Sequence, residues 1–280
     1  MLSKEFVNEV VNAVKVLIPT MEVECTKVLK NNDVTLNGVV IKTPNKNIFP
    51  TIYIEHFAKD GDVVQIAKRI VETYHKHSQE GNDYENVVEL LKDYGSVRPL
   101  LRVHLVNKKN NEKLLNEVPY LPFLDMAMIV VVDIGNATVK VTNKMLEEWH
   151  IKDIADIIHI AKENTFSTPY LLKSMAEVLG MPDFMFDIMK MYVLSNNKGF
   201  YGATEICNNS TMQNIANKLQ ADLIVLPSSI HEVIIMPKKN NDNIEELTTM
   251  VQKVNASDVD TDEVLSDHYY IYTRENGWGF

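Results

Sequence analysis

The sequence predicts an α+β fold: antiparallel sheets of β-hairpins with helices packed on them, including a C-terminal ββαββα unit. Three observations within residues 191–237 predict it. Leu223-Ile224-Val225-Leu226 and Val233-Ile234-Ile235-Met236 are short apolar runs, closed by Pro227 and Pro237, which cannot donate to a central ladder. The link Ser228-Ser229-Ile230-His231 is short enough for a hairpin, and the unbroken apolar runs call for cover on both faces. Upstream, Met191–Leu194 is strand-like and Asn196-Asn197-Lys198-Gly199 tolerates positive φ, so the stretch reads strand, turn, strand, helix, strand, turn, strand. The helix starts at Asn209-Ser210 and carries Met212, Ile215, Ala216 and Leu219 at helical spacing.

The rest of the chain follows in order. Val7, Val10, Val11, Val14 and Leu17 stripe a helix over 3–18, ended by Pro19. Strands are expected at 21–30 and 35–43 around the turn Asn31-Asn32-Asp33, and at 51–54, as a meander under the first helix. Val64, Ala67, Ile70, Val71 and Tyr74 mark a helix over 62–78, broken over 78–83, with a short helix near 84–93. A strand is expected at 100–106, a surface excursion at 107–116, and buried extended segments at 120–124 and 126–133. Residues 137–142 complete a hairpin through Gly135-Asn136. Helix continues from Met145 to Ala161 with a joint near Ile151, and 168–189 reads as mostly helical and Met-rich. Ile244, Leu247, Met250, Val251 and Val254 give a last helix, residues 269–272 a closing strand, and 274–280 a mobile tail onto which Trp278 and Phe280 could dock. The chain either divides near residue 165, into α+β domains 1–165 and 166–280, or forms one domain.

Composition excludes several classes. Hydrophobic residues at 45% and charged residues at 24% are those of a soluble globular protein. A net charge of −10 argues against a broad nucleic-acid or anionic-membrane surface, because phosphate binding rests on Lys and Arg. Two distant cysteines, Cys25 and Cys207, make neither a disulfide framework nor a CxxC metal site, and point to a reduced, cytoplasmic protein. The amphipathic start is no signal-peptide core, and the apolar run 126–132 is too short to span a bilayer.

Six segments together resemble a family of uncharacterised bacterial proteins: PTIYIEHF (50–57), VPYLPFLDMAMIV (118–130), GNATVKVTNKMLEEWHI (135–151), AKENT (161–165), DLIVLPSSIHEVIIMP (222–237) and VLSDHYYIY (264–272). A second uncharacterised bacterial family is more distantly similar, through the MLEEW-type helix and the late strand pair around a proline. The resemblance implies an α+β protein of the bacterial cytosol, often of the accessory gene pool, and no reaction.

Candidate chemistry is sparse. Val131-Val132-Asp133-Ile134-Gly135-Asn136-Ala137-Thr138-Val139-Lys140 resembles the first phosphate loop of the actin and sugar-kinase superfamily, where an Asp holds Mg²⁺. That superfamily needs a second Asp-Gly loop downstream, and no Asp precedes any glycine after Gly135, so a plain β-hairpin is the favoured reading. Ser228, Ser229, His231 and Glu232 could join a nucleophile to a base, oriented by Asp222 or Asp267, but there is no G-x-S-x-G elbow and a hydrogen-bonded turn is favoured. Glu55-His56 with Asp60 lacks a completing ligand, His75 and His77 point apart on a helix, and His104, His150, His159 and His268 are scattered. No metal and no cofactor is therefore expected. Tyr192, Phe200 and Tyr201 around the 196–199 turn, and the methionines 175, 181, 185, 189 and 191, suit either a partner surface or a core.

The expected function is therefore protein–protein interaction without catalysis, in a regulatory, adaptor or inhibitor role of a mobile-element or phage-defence setting. The binding residues expected are Tyr192, Phe200, Tyr201, Ser228, Ser229 and His231. A hydrolase or phosphotransferase using Asp133 or His231 is the alternative. Lys108-Lys109 and Lys238-Lys239 could touch nucleic acid but read as solvated loops.

Overall fold

A computed structural model describes residues 2–42, 49–59, 61–79, 85–135, 137–182, 184–185, 190–239, 244–257 and 259–279. The chain divides into two compact units, Met1–Lys30 with Val34–Asp93, and Asn31–Asp33 with Tyr94–Phe280. The boundary near 165 is replaced by this one: residue 165 lies inside a helix of the second unit, packed on that unit's first sheet.

In the first unit, helix α1 (Lys4–Leu17) starts where Ser3 Oγ accepts the Phe6 N–H at 3.1 Å. Its buried stripe is Val7, Val10, Val11 and Val14. Strands β1 (Glu22–Leu29) and β2 (Thr35–Lys42) pair antiparallel from Glu22↔Lys42 to Leu29↔Thr35, and β3 (Thr51–Tyr53) joins β2. Helix α2 (Val63–Gln79) packs on α1, and both meet the sheet through Val39, Ile41, Ile52, Ile66 and Ile70. A short α3 (Glu85–Lys92) follows. The expected meander with its helix is thus present.

The second unit holds two antiparallel sheets. The first has β6 (Met126–Asp133) at its centre, between β4 (Leu101–Asn107) on one side and β5 (Tyr120–Phe123) and β7 (Thr138–Lys140) on the other. Residues 126–132 are all buried, as an unbroken apolar central strand requires. Short helices α4 (Tyr94–Val97), α5 (Glu112–Glu117) and α6 (Asn143–Glu148) alternate with its strands along the chain, and Leu114 of α5 packs with Val106, Ala127 and Ile129. Helix α7 (Ile154–Phe166) lies on β4. The excursion expected at 107–116 is instead tied down: Asn111 is fully buried, with its Nδ2 donating to the Asn107 carbonyl.

The second sheet runs β13-β12-β10-β11-β9-β8, with β8 (Tyr170–Ser174), β9 (Tyr192–Asn196), β10 (Leu223–Leu226), β11 (Val233–Pro237), β12 (Tyr270–Thr273) and β13 (Gly277–Trp278). Alternate residues of β10 face opposite layers. Leu223 and Val225 meet Met212, Ile215 and Ala216 of helix α9 (Asn209–Leu219). Ile224 and Leu226 meet Leu247, Met250 and Val251 of helix α10 (Ile244–Ser257). Both faces are covered, as the unbroken runs demand.

The ββαββα unit is β8-β9-α9-β10-β11-α10, and its first strand is not where the sequence pattern placed it. The strand expected between the 196–199 turn and the helix at Asn209 is absent, since residues 202–207 form a 3₁₀ turn, while Tyr170–Ser174, expected to be helix, is strand β8; within 168–182 only Met175–Val178 (α8) is α-helical. Tyr201 turns the chain at φ +53°, and Gly202 then lies so close to the Asn196 and His231 backbones that no strand could leave there. The tail is also more ordered than expected: β13 pairs β12, and Trp278 sits edge-on to Phe123 and Tyr272. Asn136, Met189 and Phe280 lie outside the described residues.

Candidate functional site

A cleft of about 570 Å³ opens in the second unit between the first sheet and the 196–205 segment. Strand β4 forms one wall with Arg102, Val103 and His104, and α7 adds Thr165. Across it stand Lys198, Phe200, Tyr201 and Glu205; Asp133 and Thr138, where β6 gives way to β7, close one end.

The wall is an edge strand, and its outward amides need partners. The Val103 N–H donates to Thr165 Oγ1 at 2.9 Å and the Leu105 N–H to Thr204 Oγ1 at 3.1 Å. Two threonines thus cover the ladder and fix α7 and the 3₁₀ turn on either side of the cleft.

Tyr201 stacks on His104, with ring centroids 3.7 Å apart and planes 11° apart. Burial pushes the His104 pKa down to about 3, a loss of water that the Asp133 charge only partly offsets, so the imidazole is neutral at ordinary pH. The Tyr201 N–H donates to His231 Nδ1 at 3.2 Å, and His231 Nε2 lies 3.1 Å from Glu263 Oε1. An accepting Nδ1 leaves the proton on Nε2, where it meets the Glu263 carboxylate. Both ring nitrogens are therefore engaged. The orienting acid is Glu263 rather than Asp222 or Asp267: Asp222 accepts the Arg274 N–H, and Asp267 accepts Asn255 Nδ2.

Phe200 is 54% exposed at the rim, 4.8 Å from the Tyr201 ring and 4.9 Å from the His231 ring. Ser229 Oγ accepts the His231 N–H at 3.1 Å, so the hydroxyl serves its own turn. The Ser228 carbonyl accepts the Leu265 N–H at 2.9 Å. Tyr192 packs against the core of the second sheet. Of the six residues singled out in the sequence, Phe200, Tyr201, Ser229 and His231 gather in one cluster; Tyr192 and Ser228 serve the sheet and its loops.

Asp133 Oδ2 meets Lys198 Nζ at 2.6 Å, and Oδ1 accepts the Gly135 N–H at 3.0 Å. Burial works against its ionisation, but these two partners outweigh it and hold the carboxyl below its usual range. The Asp133–Lys140 segment is a β-hairpin, with Val131↔Lys140 and Asp133↔Thr138 in register.

Glu205, absent from the sequence candidates, is 3% exposed and lines the cleft. Burial raises its pKa to about 7, offset only by a hydrogen bond with Thr211. The signal was an acid among Ala203, Thr204, Ile206 and Cys207, in a segment otherwise fit for a core. His104 gave the same signal, in the apolar run Leu101–Val106.

Among the described residues no group of three or more His, Cys, Asp and Glu is placed to hold a metal. Glu55 accepts the backbone and side-chain amides of Asn37 within the first unit, and Asp60 lies outside the described residues. No described helix is long and apolar enough to cross a membrane.

Fold and cleft together define a mixed α+β protein of antiparallel sheets whose second unit carries a ligand-sized cleft with an aromatic rim. The chain belongs to the family of unknown function DUF5688, which it matches over residues 3–274. No curated protein and no solved structure matches it.

Proposed function

We propose that the protein acts by binding a partner protein, in a regulatory, adaptor or inhibitor role, and that the partner engages the cleft and its aromatic rim. The observation that carries this reading is Phe200. It is a large exposed aromatic held against Tyr201 and His231, on a segment pinned by the Tyr201–His231 hydrogen bond. A pre-organised aromatic beside a cavity is what interface anchors are made of, because little side-chain entropy remains to be lost. The engaged nitrogens of His231 and the self-bonded Ser229 hydroxyl support recognition over nucleophilic chemistry. The setting we propose is the bacterial cytoplasm, in a mobile-element or phage-defence role; family resemblance supports it.

The test is photo-crosslinking in the native cell, with a photoreactive phenylalanine at position 200 and a control at exposed Val178. One adduct of defined mass from position 200, absent from position 178, is the expected result. Identical adducts from both positions, or none from either, would overturn the reading.

A second reading is a hydrolase or phosphotransferase. Its support is the meeting of Asp133 and Glu205 in one cleft, the latter with a proton affinity suited to acid–base work. Turnover of a phosphoester or ester panel that vanishes in both Asp133→Asn and Glu205→Gln would establish it in place of the first.

A further inference from the structure

We infer that the cleft is a receptor for an organic cation, an alkylguanidinium or alkylammonium group, seated between the Glu205 carboxylate and the Phe200–Tyr201 rings. The inference rests on the binding role proposed above, where the group would be an arginine or lysine side chain of the partner; the same chemistry in a free amine is separated by the test.

Four observations carry it. Glu205 is buried yet lines an open cleft, and among the described residues it has no Lys, Arg or His partner. A buried carboxyl whose one hydrogen bond is to a hydroxyl is an incomplete pair, because burial of an acid is normally compensated by a cation. The neighbouring wall is aromatic, with an exposed Phe200 set edge-on to Tyr201, and ring faces attract cations. The cations already in the cleft are committed elsewhere: Lys198 to Asp133, and Arg102 Nη1 to the Pro99 and Leu101 carbonyls. The chain's net charge of −10 draws a basic group toward it.

The reversible step is a proton exchange. A neutral Glu205 carboxyl releases its proton to solvent as the cation enters, and the carboxylate then accepts hydrogen bonds from the ligand N–H groups. Affinity should therefore rise with pH through the titration of Glu205, which lies at about 7. His231, paired with Glu263, faces the Phe200 and Tyr201 rings from the turn between β10 and β11, and four further titratable groups near Glu205 are each held in one state across that range. His104 of β4 is held neutral, and Cys207, which feels both Glu205 and Lys162 of α7, is held as a thiol by burial. Tyr201 is likewise held protonated by burial, while Asp133 is kept ionised by Lys198.

The test is an amide-resolved NMR titration of the full chain with butylguanidinium, butylammonium, butanol and butyrate. The two cations should give saturable shifts at the amides of Tyr201, Glu205 and Thr165, and butanol and butyrate should not. Affinity for butylguanidinium should grow about tenfold between about pH 6 and about pH 8. Glu205→Gln, which keeps shape and loses the charge, should weaken it at least about tenfold, and Phe200→Ala, on the exposed rim, about threefold. An arginine-containing peptide binding more tightly than butylguanidinium assigns the group to a protein; equal affinity assigns it to a free amine. Equal shifts with butanol, stronger shifts with butyrate, or full affinity in a folded Glu205→Gln protein would overturn the inference. Crosslinking at position 200 that survives such a result leaves the partner reading standing alone.

Discussion

Tyr201 lies flat on His104, and the same residue's backbone N–H holds His231 in its Nε2–H form. Tyr201, at the start of the 3₁₀ turn, thus touches His104 of the first sheet and His231 beside the second, its ring meeting both imidazoles, and fixes the cleft wall. Truncating it should cost more than its own buried area, because His104 loses its cover while staying inside. Tyr201→Ala is expected to destabilise the second unit by about 3 kcal/mol. Both tryptophans, Trp149 and Trp278, belong to that unit, so urea unfolding followed by tryptophan fluorescence reads it. A loss under about 1 kcal/mol would show that the stack is incidental.

Gly202 should tolerate no side chain. A Cβ there would lie 2.1 Å from Ser195 Oγ and 2.6 Å from both the Asn196 nitrogen and the His231 oxygen. Two of these are backbone atoms and cannot rotate away. Gly202→Ala is expected to cost more than about 2 kcal/mol and to broaden the amide signals of the 196–205 segment. Gly279→Ala, with nothing within 4 Å, is the matched control and should leave stability unchanged.

Stability should depend on pH through two buried groups acting in opposite directions. The His104 pKa is depressed to about 3, so an unfolded chain binds a proton that the folded one refuses. Its contribution is present above about pH 6.5 and is lost as pH falls toward 3. The Glu205 pKa is raised to about 7 from 4.5, so the folded chain keeps a proton that the unfolded one releases. That contribution is present below pH 4.5 and is lost as pH rises through about 7, a swing of roughly 3 kcal/mol. Glu205→Gln should remove the second slope alone, making the variant gain on the natural protein between those pH values. Parallel stability curves for the two proteins would contradict the assignment.

The sheet scaffold was legible because its signals are local and redundant. Pro227 and Pro237 close their strands, the 126–132 run is unbroken, and Met212, Ile215 and Ala216 keep helical spacing. The misplaced strand was not legible for a physical reason. Tyr170–Ser174 becomes strand by pairing with β9 across roughly twenty intervening residues, a non-local gain that overrides local pattern. The strand expected ahead of Asn209 failed because the decisive fact, Gly202 against the His231 carbonyl, is a contact between segments about thirty residues apart. The aromatic rim could be named in advance because Phe200 and Tyr201 flank an evident turn. Glu205 and His104 were visible as polar residues in apolar runs, but only the fold shows that the two meet one cleft.

The Asp133–Lys198 pair should matter less to stability than its 2.6 Å separation suggests. Lys198 is well exposed, so water and salt screen the attraction. Lys198→Met is expected to cost about 0.5 kcal/mol in unfolding, and less as salt is added. Asp133→Ala removes the acceptor of the Gly135 N–H as well and should cost about 1–2 kcal/mol. A reversed order, with the lysine variant the weaker, would mean that the charge rather than the turn hydrogen bond dominates.

The edge of β4 gives the sharpest test of how the cleft is held open. Thr204 is 2% exposed, and its hydroxyl is the acceptor for the buried Leu105 N–H. Valine has the same shape without the oxygen, so Thr204→Val leaves that amide inside with no partner and creates no cavity. The expected cost is about 1–3 kcal/mol, the penalty for a buried donor stripped of its acceptor. Thr165→Val does the same to the Val103 N–H, in a site that borders the cleft, where water can replace the hydroxyl. It should cost about 1 kcal/mol or less. Hydrogen exchange separates the two cases: the Val103 amide should exchange faster in Thr165→Val, while the Leu105 amide in Thr204→Val should follow the global loss of stability. Equal costs for the two variants would mean that water reaches Leu105 as readily as Val103, and that the 3₁₀ turn does not seal this edge.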